Sequence, residues 1–521
     1  MSELSPLILT LLVFIPAAGA VLITLLPRRG HIAAWCALLV TVADFVLSLH
    51  LPAHFAYGRG GFQFETNVPW IANPAIRYHV GLDGLSLWLV VLATFLGPIG
   101  VLASWTAIKS RTKEFYALLL LQQTAMLGIF VALDLIVYYA FWELSLIPMA
   151  LLIGMFGRQN GRKAAIKFFI YAFVPSALLL VAMLWLYAKA GTFDFVVLQQ
   201  MHQSGALVYG QAAGLLAAIA FVVAFGVKVP IFPLHGWLAD ALSEAPTAAA
   251  MVLAGKLGLY SILRFSFGLF PAESRRMAPI LIALGVIGIL YGALLAWVQT
   301  DLKRLASYST LSHLGFCVLG IFSFTAIASD GGVYQILNHG ISAGAFFVLL
   351  GILYERYGTY EISAYGGLAA RMPYFSAVLT VTALSLVGLP ILNGFVGEFL
   401  VLSGTFPVSI AWSSVATLGV ILSAVYMLTM LQRVLYSEPS SRVLAMNGPD
   451  LTGREQAALW PMVVLFALMG IVSPFWMRAI DGAVGRPLAV AAVQARAATS
   501  GGTTSQVATG QPLSQAGRDS Q

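Results

Sequence analysis

From residue 5 to residue 477 the chain alternates long apolar runs with short stretches that gather most of its charge. A helix crossing roughly 30 Å of hydrocarbon needs about 20 apolar residues. The runs predict spans near 5–26, 32–50, 81–105, 115–133, 135–155, 165–188, 210–240, 247–267, 277–298, 303–324, 331–353, 373–405, 410–435 and 458–477. They are continuous rather than alternating, so helices, not barrel strands, must satisfy the backbone polar groups away from water. The expected fold is all-α, a polytopic membrane protein of about fourteen helices.

Two runs, 210–240 and 373–405, are longer than one crossing needs, and a proline interrupts each: Val229-Pro230-Ile231-Phe232 and Leu389-Pro390-Ile391-Leu392. Asp134-Leu135 and Asp301-Leu302 likewise open two spans that run in opposite directions. Matching interruptions in opposed halves point to an inverted repeat. The expected organisation is three N-terminal helices and an outer loop (1–114), a five-helix repeat (115–267), its inverted copy (277–435), a last helix (436–484) and a disordered tail (485–521). Residues 51–80 form the long loop, rich in Gly, Pro and aromatics, and the tail is too rich in Ala, Ser, Gly, Thr and Gln to bury a core.

Composition agrees. Of 521 residues, 60% are hydrophobic and 9% charged, against about 25% charged in soluble domains. The net charge of +7 is topology rather than a nucleic-acid signal. One set of connections carries 16 Lys and Arg, including Arg28, Arg29, Lys109, Arg162, Lys303 and Arg433. The other carries 6: Arg59, Arg77, Lys189, Arg264, Arg275 and Arg276. The 16-charge side is then cytoplasmic, and both termini face outward. The first run lacks a basic leading region and reads as a span, not a cleaved signal. Cys36 and Cys317 fall within spans and suggest neither disulfide nor metal, and no phosphate loop or CxxC cluster announces a bound redox centre.

The rare charges at depth carry the chemistry. Each costs about 2.5–3.5 kcal/mol on insertion scales. Glu143 is mid-span, and Lys228 stands beside the first break, where prolines free carbonyls that water or a polar side chain must satisfy. Burial lowers a lysine pKa and a carboxylate raises it, so a lysine between those influences can release and recapture a proton; Glu143 is its natural partner. Lys256 is too deep to snorkel, His313 and His339 are of the residue type that can pass a proton through its two nitrogens, and Glu398 follows the second break. The bland readings are a neutral hydrogen-bonded carboxyl, a static Lys–Glu bridge and satisfied core histidines. Six such groups over six spans instead describe a polar axis for moving protons. His235, Asp240 and Glu244 are accessory candidates, with helix capping as the rival role for the two acids. Asp134, Asp301, Asp330 and Lys303 lie at span ends, where a solvated or capping role is expected.

The stretches Lys228-Val229-Pro230-Ile231-Phe232-Pro233-Leu234-His235-Gly236-Trp237 and Asp301-Leu302-Lys303-Arg304-Leu305-Ala306-Ser307-Tyr308-Ser309 resemble the antiporter-like membrane subunits of respiratory complex I, over roughly 80–435. Glu398 in Gly394-Phe395-Val396-Gly397-Glu398-Phe399 looks like the M-type (chain 4) branch, and the chain has no room after its last span for a long lateral helix. The resemblance implies a proton-translocating subunit of an NADH–quinone oxidoreductase in a bacterial inner membrane. Glu143, Lys228, Lys256, His313, His339 and Glu398 match its proton-path positions. It also implies no cofactor in this chain, with NAD, FMN, Fe–S and quinone in partner subunits, and neighbours that include two homologous antiporter-like subunits. The rivals are a subunit of a multi-subunit cation/proton antiporter or membrane-bound hydrogenase, and a passive structural subunit.

Overall fold

The computed structural model describes residues 7–27, 31–253, 256–445 and 449–485. The expected tail from about 485 and the anchor pair Arg28 and Arg29 lie outside the described residues. Thirteen helices among them are long and apolar enough to cross a membrane: α1 (Ile8–Leu25), α2 (Ile32–His54), α3 (Gly84–Ser104), α4 (Thr112–Val131), α5 (Leu135–Phe156), α6 (Gly161–Ala190), α7 (Gln211–Lys228), α8 (Thr247–Leu269), α9 (Pro271–Trp297), α10 (Leu302–Phe322), α11 (Ala326–Tyr357), α13 (Ile410–Tyr436) and α14 (Gly453–Ile471). Between α11 and α13, α12 comes in two shorter halves, Pro373–Val387 and Asn393–Thr405. Their 15 and 13 residues together reach about 40 Å at 1.5 Å per residue.

Both expected breaks are present. Helix α7 stops at Lys228 and resumes as Leu238–Glu244; α12 opens between Val387 and Asn393, with Gly388 in the left-handed region. The bundle is layered by burial. The most apolar stretch of α11 is wholly buried, and α10 nearly so, while α1, α2 and α6 expose residues such as Leu25, Leu39 and Val181 as an oily rim. Such a rim is stable only against hydrocarbon or another apolar surface.

Asp134 and Asp301 are caps, whereas Asp330, expected with them at a span end, is buried inside α11, whose cap is Thr325. Asp134 accepts from the amides of Ile136 and Val137 at 2.9 and 3.2 Å, and Asp301 from those of Lys303 and Arg304 at 2.9 Å. The matching extends to a backbone clasp. The amide of Leu135 donates to the carbonyl of Phe193 at 2.9 Å, and that of Leu302 to the carbonyl of Tyr360 at 2.8 Å. Helices α6 and α11, which precede those clasps, each end at a left-handed glycine, Gly191 and Gly358.

The 51–80 region is not only a loop. Gln63–Ile71 (β1) and Ile76–Leu82 (β2) form an antiparallel hairpin, with Val68 opposite Tyr78 and Ile71 opposite Ile76. Gly58, Gly60 and Gly61 before it and Pro74 in its turn give the stretch the look of a loop. Two hydrogen bonds dock it on the α4–α5 turn, the amide of Leu133 donating to the carbonyl of His79 at 2.8 Å and the amide of Arg77 to the carboxylate of Asp134 at 3.1 Å.

His79 is the hairpin's anchor. It is buried, with Nδ1 2.7 Å from Asp194 and Nε2 3.0 Å from Glu65. Both nitrogens face acceptors, which only the protonated ring serves in full. Burial pushes the imidazole pKa down, but the bonds to and charges of Asp194 and Glu65 outweigh it and hold the pKa above its ordinary value. Burial likewise pushes Asp194 up, and His79 brings it below the usual carboxylate value. The attraction is therefore complete below the ordinary histidine pKa and is lost as pH rises through the raised one; on the acid side it is lost as pH falls through the lowered value of Asp194. We predict that His79→Gln loosens the hairpin by about 2 kcal/mol, discounting for exposed Glu65, or roughly 30-fold faster amide exchange over 63–82. Wild type should lose protection on the alkaline side, after correction for intrinsic exchange; equal protection in both proteins at neutral pH would refute the anchor.

Candidate proton-transfer axis

Glu143 lies in the last turn of Leu135–Leu144, where α5 kinks at Ser145. It is half-buried and accepts a hydrogen bond from Ser176 Oγ on α6. Lys228 closes the first half of α7. Its Nζ donates to Ser145 Oγ at 2.8 Å and the Trp142 carbonyl at 3.1 Å, and stands 3.7 Å over the Trp142 ring. Glu143 and Lys228 therefore flank the same α5 kink without a direct ion pair. The carbonyl of Val227, freed by the break, accepts from Trp237 Nε1 at 2.9 Å, so an indole meets the need that the prolines create.

A cavity of about 30 Å³ adjoins Lys228, lined also by Gln122, Ser145, Trp237 and Leu257. Water needs about 10–15 Å³ on this scale and polar partners, both available here. Leu257 adjoins Lys256, whose Nζ donates to the Met251 carbonyl at 3.2 Å. Lys256 reaches into the bundle because residue 340 is glycine: a Cβ there would come within 2.8 Å of Lys256 Cε.

Beyond Gly340 the order in space reverses the order in sequence. His339 lies on the Lys256 side, within electrostatic reach of both Lys256 and His313. The His313 and His339 rings are 5.8 Å apart, and His313 Nδ1 is 3.0 Å from Glu398 Oε1. Gln335 Nε2 donates to the same oxygen at 3.0 Å, and Asn338 donates to Gln335 at 3.1 Å. Both nitrogens of His339, Nε2 of His313 and Oδ1 of Asn338 are buried without a protein partner. Buried polar atoms of this kind are normally satisfied by ordered water. The α12 break is also polar inside, where Ser385 donates to Asn393 at 2.6 Å and Asn393 to Ser342 at 3.0 Å.

The row thus runs Lys228, Lys256, His339, His313, Glu398, with Glu143 at one end. The accessory candidates do not join it. His235 packs against Phe232 and Tyr291, with centroids 5.4 and 5.3 Å away. Asp240 pairs with Lys167 at 2.7 Å and Arg304 at 3.7 Å, and Glu244 accepts from the amide of Asn160 at 3.0 Å. These acids hold spans together at the face opposite the hairpin.

Several buried charges escape sequence reasoning. Lys303 is no solvated end residue: it is 2% exposed and donates to the Ala245 carbonyl, with Nζ 5.3 Å over Tyr360. Arg264 is no loop charge either. It sits in a π-turn of α8 and binds Asp83 through two bonds of 2.7 and 2.5 Å. Asp44, fully buried mid-span in α2, accepts from Gln123 at 2.6 Å; the in-membrane charge rule, applied to 32–50, finds it.

Residues 132–425 match the family described as NADH:quinone oxidoreductase/Mrp antiporter, TM. The chain is 40% identical over 479 residues to NADH-quinone oxidoreductase subunit M of Rhodobacter capsulatus, covering 89% of this chain and 93% of that one. It is 37% identical over 485 residues to subunit M of Escherichia coli (strain K12), covering 89% and 94%. A chain of respiratory complex I from Thermus thermophilus with bound NADH superposes with a TM-score of 0.83 at 32% identity, covering 92% of this chain and 99% of that one. A chain of the Mrp complex from Dietzia sp. DQ12-45-1b, 20% identical over 93% of this chain and 98% of that one, shares the fold with a TM-score of 0.81.

Proposed function

Since the chain belongs to the NADH:quinone oxidoreductase/Mrp antiporter transmembrane family, we propose that it is a proton-translocating membrane subunit of a respiratory NADH–quinone oxidoreductase. It works as part of an enzyme, with the redox chemistry, and the NAD, FMN, Fe–S and quinone it needs, in partner subunits. The supporting observation is the buried row from Lys228 through Lys256, His339 and His313 to Glu398.

In this reading a change at the α5 kink alters the influence of Glu143 on Lys228, and Lys228 gives up a proton through the small cavity toward Lys256. The unpartnered histidine nitrogens pass it on, each ring accepting at one nitrogen and donating at the other, and Glu398 delivers it. The twin caps, clasps and left-handed glycines support two inverted five-helix repeats. The basic excess supports a cytoplasmic face opposite the hairpin, with both termini on the periplasmic side of a bacterial inner membrane. High identity to M-type chains favours complex I, with two homologous subunits among its neighbours, over the antiporter rival, where likeness is of fold.

The test is the proton-to-electron ratio of the whole complex in vesicles carrying Lys256→Ala. We expect the ratio to fall while NADH oxidation by artificial acceptors persists. A wild-type ratio in an assembled variant would leave the structural reading in place.

A further inference from the structure

At the hairpin face, where α3 and α9 begin and α8 ends, a cavity of about 470 Å³ lies under the residues before β1. Arg59, Arg264, Arg275, Arg478 and His202 line it, and Asp83 is the one carboxylate among its described lining residues. Arg264 spends its donors on Asp83 and on Tyr260 Oη at 3.2 Å. That leaves the charges of Arg59, Arg275 and Arg478 uncancelled within the lining. Aromatic faces hold two of them: the Arg275 guanidinium is 5.1 Å over Phe324, and that of Arg478 is 5.2 Å over Tyr57. A guanidinium held by its face keeps its N–H edge for a ligand, and a planar fork suits phosphate oxygens.

The depth of the cup selects the source of the phosphate. It stands where span ends meet the polar surface, at headgroup level. The same stretches of chain carry an apolar groove deeper in: Trp88, one turn past Leu85, and Trp476, two residues before Arg478, line about 440 Å³ together with Phe95 and Leu465. Trp88 Nε1 bonds the Trp476 carbonyl at 3.2 Å and ties these walls together. A basic cup at the surface with an oily groove below it fits an amphiphile with an anionic head.

We propose that this cup binds the phosphate group of an anionic phospholipid. The delipidated full chain, titrated with phosphatidylglycerol, phosphatidylcholine or inorganic phosphate and read by native mass spectrometry, tests it. One phosphatidylglycerol per chain should survive activation that strips phosphatidylcholine. Arg275→Gln with Arg478→Gln should lower the bound fraction at least tenfold, while Lys109→Gln with Lys163→Gln, the same charge change on the opposite face, should leave it unaltered. Both arginines are exposed, so the variant keeps its fold; a matching elution volume checks this. Equal retention of the two lipids, equal loss in the control, or displacement by millimolar inorganic phosphate would overturn the lipid assignment. So would crosslinking in the intact complex that shows an acidic segment of a neighbouring subunit in the cup with no lipid present.

Discussion

Lys228→Arg should slow proton translocation at least tenfold while keeping the charge in place. Arginine stays protonated under all working conditions, so it can stand over Trp142 and donate to Ser145 but cannot release a proton. Lys228→Met removes charge and proton together and leaves the Trp142 carbonyl and Ser145 Oγ without their donor, at about 1–3 kcal/mol of stability. Both variants should pump at least tenfold more slowly, a barrier increase of about 1.4 kcal/mol or more. Only Met should lower the thermal midpoint. A fluorescent pH probe in vesicles holding the whole complex reads the rate. Pumping by the arginine variant at the wild-type rate would show that Lys228 is a counter-charge, not a carrier.

Glu398→Gln should be as severe, for a different reason. Oε1 of Glu398 takes bonds from both His313 and Gln335 at 3.0 Å. A glutamine oxygen can accept the same bonds, so packing survives, but an amide neither holds nor hands on the proton. Glu398→Asp keeps the acid and withdraws it by one carbon from His313. We expect partial recovery with Asp and a loss of about tenfold or more with Gln, at unchanged assembly. Equal rates in all three proteins would remove Glu398 from the path.

Much of this was readable in the chain because the membrane enforces it. Apolar runs had to become helices, and prolines at 230 and 390 had to break two of them. A charge at depth had to face the interior, as Lys256 and Glu398 do. What sequence could not supply was neighbour order. His313 precedes His339 along the chain, yet His339 stands nearer Lys256, because α10 and α11 run antiparallel and only packing decides which ring faces which partner. Nor could charge counting tell a loop arginine from Arg264, which lies near the end of a span and folds back onto Asp83. Lys303 deceived in the same way: one turn from a span end, it turns inward to a carbonyl of the α7–α8 link. The hairpin was hidden because its inward edge is carried by His79 and backbone bonds rather than by an apolar alternation.

The paired backbone clasps have a mechanical corollary. By stapling the start of α5 to the chain just past α6, and the start of α10 to the chain just past α11, they make each couple of spans a stiff strut. Bending under load is then left to the interrupted rods α7 and α12, which carry Lys228 and Glu398, and to the α5 kink on which Lys228 rests, so strain arriving from a neighbour would be felt first at the two ends of the buried row.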